Sequence, residues 1–403
     1  MKLLAVREET VPLATAMHNA SVAFDTMTAS ALALLVSIPG RDTPLVGFAL
    51  DSIGRYAKGG LLRERLIPRL VAAAPDSWID ADGLPDPLAV AQIVMTNEKE
   101  GGHGERPGAV GLIEAAVWDL RAKLENRPLW ASIRRRLAMA DLRTSPVIAV
   151  YGSCGHFRPG RAERELQGLA DEVRAAAKSG HTVVKIKLGG QSLAEDLART
   201  EAALSASTGV RIAVDVNGRL NPAIETPWLR ALSRLGVAWI EEPASPLDYD
   251  RLSRLVRRCD CPIATGENLF SFDDARNLLR YGGLRRECDL IQIDVSLSYG
   301  VGHYLTILDE FTASGWSRAS FAPHAGHLFA AHVVAGLGLG MHEAATDPNA
   351  LFAGFWDHHT LLAGHLALSD APGVGFERKS SLMARLGPLG QAPSHQHSPA
   401  PFH

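Results

Sequence analysis

From about residue 147 onward, short apolar runs recur at nearly constant spacing, and an ionisable residue closes one after another. Asp215 ends VRIAVD, Glu241 ends VAWIE and Glu267 ends PIATGE at equal separations, and Asp294 and His324 follow at slightly longer ones. Helical patterns fill the intervals at 192–206, 250–258, 271–280 and 304–313. Strands alternating with helices imply a parallel sheet joined by crossovers. About seven such units in roughly 200 residues favour a closed (β/α) barrel over an open sheet. A barrel unit takes about 30 residues, so these side chains stand at one height, the C-terminal ends of the strands.

The stretch over 1–135 differs in character. Strand-length apolar runs at 31–38 and 44–50 flank Gly40-Arg41-Asp42, which predicts a hairpin. Helical patterns follow at 60–74 and 107–126, with a polar, glycine-rich loop at 97–106 between them. The expected organisation is an α+β domain over 1–135, a barrel over 145–370, a segment at 371–389 and a frayed tail at 390–403 rich in Pro, Ser and His.

Composition narrows the class. With 46% apolar and 21% charged residues among 403, the chain has ample material for a packed core. A net charge of −3, from 41 basic and 44 acidic residues, lacks the basic surplus of a phosphate-driven nucleic-acid binder. No apolar run approaches the roughly 18 residues that span a bilayer, and the start, MKLLAVREE, is too quickly charged for a secretory signal. The four cysteines form no CxxC pair, so a reduced, cytoplasmic setting is expected.

Three carboxylates at one height carry a cost. Like charges about 4 Å apart repel by about 4 kcal/mol per pair at an effective dielectric of 20. The cluster therefore needs protonation or a cation, and oxygen-only ligands select Mg²⁺, with Mn²⁺ as the alternative. In VVKIKL, strand alternation puts Lys185 and Lys187 on one face and Val184, Ile186 and Leu188 on the other. With the apolar set against the helices, both lysines point inward. Mutual repulsion is then expected to lower one ammonium's pKa toward that of a general base. Asp294, on the run before His324, is placed to orient that imidazole as an acid or base. His103, His156, His303 and His342 are taken as structural.

This succession of Lys-x-Lys, Asp-x-Asn, Glu-Glu-Pro, Gly-Glu-Asn, Asp and His resembles the mandelate racemase subgroup of the enolase superfamily. The segments MTNEKEGGHGER (95–106), TGENLFSFDDARNLLRYGG (265–283), the run from Asp294 through Ser298-Tyr299-Gly300, and AGLGLG (335–340) are similar to the D-tartrate dehydratase-like group. The resemblance covers about residues 5–385. It implies a modified TIM barrel, (β/α)7β, with the N-terminal α+β domain as a cap and 371–389 returning to that cap. It implies Asp215, Glu241 and Glu267 as Mg²⁺ ligands, Lys187 as the base that removes the proton α to a carboxylate, and His324 with Asp294 as the acid on the other face. Lys185 and Asn217 match groups that help hold the substrate carboxylate and the metal site, and Glu343 a group that hydrogen-bonds the carboxylate. Two places depart from the group's pattern: Ile53, where an Asn is usual, and the 152–156 stretch.

The expected activity is therefore Mg²⁺-dependent dehydration of a 2,3-dihydroxy diacid such as tartrate to a keto acid, oxaloacetate in that case. The alternatives are a dehydratase of another acid sugar and a racemase or epimerase of a 2-hydroxy acid. The 97–106 loop is the expected lid, with Lys99 pairing with the far carboxylate. The expected partner is a small hydroxy acid, with neither nucleic acid nor membrane, and a homo-oligomer is expected.

Overall fold

The computed structural model describes residues 1–13, 15, 17–52, 56–101, 104–139, 147–157, 165–189, 192–206, 208–346 and 354–391. Ile53, His103 and the tail from 392 lie outside them.

The N-terminal sheet is antiparallel, with β1 (Lys2–Pro12), β2 (Thr28–Ser37) and β3 (Leu45–Leu50) in that order. The β2–β3 hairpin is the one predicted from Gly40-Arg41-Asp42. β2 is buried on both faces from Ala29 to Val36, which explains its continuous apolar run. The helix Arg106–Leu124 is buried around its circumference from Pro107 to Ala122, Glu114, Asp119 and Arg121 included, wedged between this sheet and the barrel. Two glycines allow the fit. A Cβ at Gly47 would lie 2.2 Å from the Ala116 carbonyl oxygen, and one at Gly111 would lie 2.2 Å from that of Ser296.

In the barrel, β4 (Val147–Cys154), β5 (Val183–Lys187), β6 (Arg211–Asp215), β7 (Ile240–Glu241), β8 (Ile263–Thr265) and β9 (Leu290–Ile291) pair in parallel in chain order. β10 (His342–Ala345) returns to pair with β4. The run at 319–324, which reads as a strand, instead contributes a 3₁₀ turn at Arg318–Ser320 and a single bridge from Phe321 to Ile291. Pro323 has no N–H to extend a ladder. That one stave still closes the ring, because Gly340 N donates to Phe321 O at 2.9 Å. Among the described residues seven helices, from Glu165–Lys178 to Leu328–Leu337, alternate with the staves, giving the modified (β/α)7β barrel. Ser271 caps one of them, accepting from Asp274 N at 3.2 Å.

After β10, a hairpin of β11 (Leu361–Leu362) and β12 (His365–Ala367) adds antiparallel to β4. The helix Ser380–Leu389 then packs back on β1 and β2, and Arg7 Nη1 donates to Leu389 O at 3.0 Å. Among the described residues no helix is long and apolar enough to cross a membrane.

Candidate active site

Alternation along β5 turns Val184 and Ile186 toward the helices and both lysines into the barrel, where Lys185 is fully buried and Lys187 6% exposed. Asp215 and Glu241 end β6 and β7, Glu267 lies just past β8, and each offers one oxygen within 4.8 Å of the others, a group that could hold a metal ion. Three charges at that distance repel by about 3–4 kcal/mol per pair at an effective dielectric of 20. The carboxyl of Glu241 bears the cost. Burial, helped by Asp215, Glu343 and Glu267, outweighs Lys185 and pushes it up to about 8. Glu267 Oε2 and Asn217 Oδ1 are buried without a hydrogen-bond partner. An oxygen-only donor set with an orphaned carboxylate oxygen fits a hard dication.

The lysines do not depress one another as expected. Lys185 Nζ lies 2.5 Å from Glu241 Oε1, 2.9 Å from Glu343 Oε1 and 3.7 Å from Asp215 Oδ2. Lys187 bonds Asp215 Oδ2 directly. Burial works against both charges, but the carboxylates outnumber the ammoniums, and both pKa values rise. Below them Trp239 Nε1 and Gln292 Nε2 donate to Glu241 Oε2 at 3.2 and 2.7 Å. Glu343 also accepts from the Tyr151 hydroxyl at 3.4 Å. Asn217 donates twice to Asp215, from its backbone N at 2.8 Å and its side-chain nitrogen at 3.1 Å.

His324 stands beside a different member of the trio from Lys187, with Nε2 3.6 Å from Glu267 Oε2 and Nδ1 3.4 Å from Asp294 Oδ2. Burial disfavours its charged form, but Glu267 and the Asp294 hydrogen bond prevail and raise it to about 9. Asp294 lies just beyond β9, in a turn where Ser296 N and Leu297 N donate to its Oδ1 at 2.8 and 3.2 Å. Its Oδ2 also accepts from the Ser52 hydroxyl at 2.5 Å, a link from the cap that sequence reading does not find.

Lys187, Glu267, His324, Glu343 and Asn217 line a cavity of about 440 Å³, within the range of small-molecule sites. From the cap, the β1–β2 connection supplies Asn19, Ser21, Val22 and Phe24. Lys99, expected at the far carboxylate, does not line this cavity. It is exposed, and its carbonyl is held by Arg106 while Glu98 pairs with Arg69 at 3.0 Å. These arginines fasten the loop to the cap's own helices. His156, taken as structural, lines the cavity with its ring edge against Phe24. Burial and the nearby lysines push it down to about 3, so it is neutral. Arg219, shortly past Asp215, lines the cavity too. His342 and His303 stay out of it; His303 Nε2 accepts from Phe272 N at 2.9 Å.

A family model described as enolase C-terminal domain-like matches residues 168–381. The chain is 26% identical over 275 residues to an arabinonate dehydratase of Saccharolobus solfataricus, covering 66% of this chain and 68% of that one. It is 28% identical over 297 residues to an L-talarate/galactarate dehydratase of Salmonella typhimurium, covering 71% and 67%. Among solved structures, a racemase from Streptomyces coelicolor A3(2) with bound magnesium superimposes with a TM-score of 0.75 at 22% identity, over 96% of this chain and 99% of that one. This last likeness is one of fold.

Proposed function

The chain belongs to the enolase C-terminal domain-like family, and from that premise we propose that it is a Mg²⁺-dependent dehydratase of a hydroxy acid. The observation that carries the proposal is a cavity lined by both Lys187 and His324, the first bonded to Asp215 and the second beside Glu267, in a carboxylate trio suited to a hard dication. Dehydratases among the relatives support the reaction class. In this reading Asp215, Glu241 and Glu267 hold Mg²⁺, which supplies electrostatic stabilisation of the charge that builds on the substrate carboxylate. Lys187, in its unprotonated form, takes the proton α to that carboxylate, while Lys185 and Asn217 help hold the substrate carboxylate and the metal site and Glu343 hydrogen-bonds the carboxylate. His324, oriented by Asp294, protonates the departing β-hydroxyl, which leaves as water. The resulting enol tautomerises to a keto acid. The finer reading takes a 2,3-dihydroxy diacid such as tartrate, with oxaloacetate as product. The same proposal makes the protein a cytoplasmic homo-oligomer.

A second reading, racemisation or epimerisation of a 2-hydroxy acid, is favoured by two candidate proton carriers, Lys187 and His324, lining one cavity. The dehydratase reading, in which Lys187 is the sole base, requires Lys187→Ala to abolish exchange of the substrate α-hydrogen in D₂O. Retained exchange removes Lys187 from that mechanism. Proton NMR of the wild-type reaction separates the two: a keto acid means elimination, and deuterated starting material means racemisation.

A further inference from the structure

Asp215 is followed by a sharp change of chain direction. Asn217 and Gly218 both take left-handed backbone, with φ of 44° and 71°, and this brings Arg219 to the rim of the cavity. Its side chain is anchored there by the cap: Arg219 Nε donates to Ser21 Oγ at 3.0 Å, and Ser21 Oγ donates in turn to Asn217 O at 2.7 Å. Asn19 Oδ1 shapes the turn beneath by accepting from Ser21 N and Val22 N at 2.8 and 2.7 Å. Among the described residues this hydrogen bond is the guanidinium's only polar contact, and no carboxylate pairs with it.

The cavity is thereby polarised along its depth. At the inner end Lys187 is taken up by Asp215. Arg219, exposed, keeps both terminal nitrogens free of hydrogen-bond partners in a cavity that Asn19 and the neutral His156 also line. A planar guanidinium held by Nε with its terminal nitrogens free presents the fork that matches a carboxylate. An arginine that merely solvated the surface would need no hydroxyl from another domain to fix its direction.

We propose that Arg219 binds a second carboxylate of the substrate at the outer end of the cavity, so that the site is built for hydroxy diacids over monoacids of the same carbon skeleton. This rests on the hydroxy-acid reading of the site and replaces Lys99 in the distal role. Ser21 is then a positioning residue for Arg219, and docking of the β1–β2 connection completes the substrate site.

The test is equilibrium binding, which needs no turnover. Calorimetry in the presence of Mg²⁺ would compare matched pairs, namely tartrate with threonate, glucarate with gluconate and galactarate with galactonate. At least one diacid is expected to bind about tenfold or more tighter than its monoacid partner, a difference set by one charge-assisted pair at a partly solvated site. Arg219→Gln should collapse that ratio toward unity, Arg219→Lys should retain part of it, and Ser21→Ala should fall between. Preference for the monoacids, an unchanged ratio in Arg219→Gln, or no binding of any acid would each overturn the proposal. Diacid preference that depends on Arg219, without keto-acid formation, would uphold it while refuting the dehydratase reading.

Discussion

Glu114 offers a quantitative test of how the cap and barrel are joined. Its carboxyl is fully buried where the helix Arg106–Leu124 meets the start of the helix Val301–Ala313. It accepts from Val301 N at 2.6 Å and Gly302 N at 3.1 Å, satisfying donors that a helix N-terminus leaves free. Burial nevertheless outweighs these bonds and, with Asp86 adding repulsion, raises the carboxyl from an ordinary 4.5 to about 7. At 1.36 kcal/mol per pKa unit this amounts to about 3 kcal/mol. A folded-state pKa above the unfolded one means the native state binds the extra proton. The stabilisation is complete below the unfolded value and is lost as pH rises from about 4.5 through about 7. Glu114→Gln is isosteric and does not titrate. Urea unfolding of both proteins should show the difference in stability moving by about 3 kcal/mol toward the variant between roughly pH 4.5 and 7.5. The cost of the altered hydrogen bonding is constant across that window and drops out of the comparison. A difference that stays within about 1 kcal/mol over the whole window would refute the assignment of the shift to Glu114.

Two further outcomes are expected. Ser52→Ala removes a hydroxyl donor from buried, charged Asp294 and should lower the stability of the metal-free protein by about 1.5–3 kcal/mol in urea unfolding; a loss under about 0.5 kcal/mol would show that the bond does not join the cap to Asp294. Mg²⁺ at about 100 times its Kd should stabilise the native protein by about 2.7 kcal/mol. The resulting rise in Tm should vanish in Glu241→Gln, and its persistence there would place the ion elsewhere.

Much of the barrel and its inner site was legible because it is written in periodicity. Alternation of two puts Lys185 and Lys187 on one face, and an even repeat along the chain puts Asp215, Glu241 and Glu267 at one height. Neither depends on distant parts of the chain. The rim was not legible for the opposite reason. Which loop covers a barrel mouth is decided by docking between domains, and the connection carrying Asn19 and Ser21 has no period to betray it. The 97–106 loop looked more lid-like by composition, and its charges divide between the two domains: Glu98 pairs with Arg69 in the cap, while Glu100 faces His303 on the barrel helix Val301–Ala313. Arg219 had a signal that could have been followed, a cation just past a strand-end carboxylate in Asp-Val-Asn-Gly-Arg. The lysine pKa expectation failed by weighing one repulsion and omitting three attractions. His156 was passed over because a lone histidine carries no indication of which wall of a barrel it faces.

The helix Ser380–Leu389 lies against strands made at the very beginning of the chain, and Arg7 holds its last turn. The small domain is thus stitched from both extremities, with the whole barrel threaded between. On a ribosome its sheet must wait, with part of an apolar surface uncovered, until everything up to Ser380 and beyond has emerged. Nor can it be excised as a continuous stretch of sequence. Clipping the chain just before Ser380 would leave the barrel's pairing intact while stripping a wall from the domain that carries Ser21 and Ser52, so damage far from the chemistry would register first at the mouth of the site.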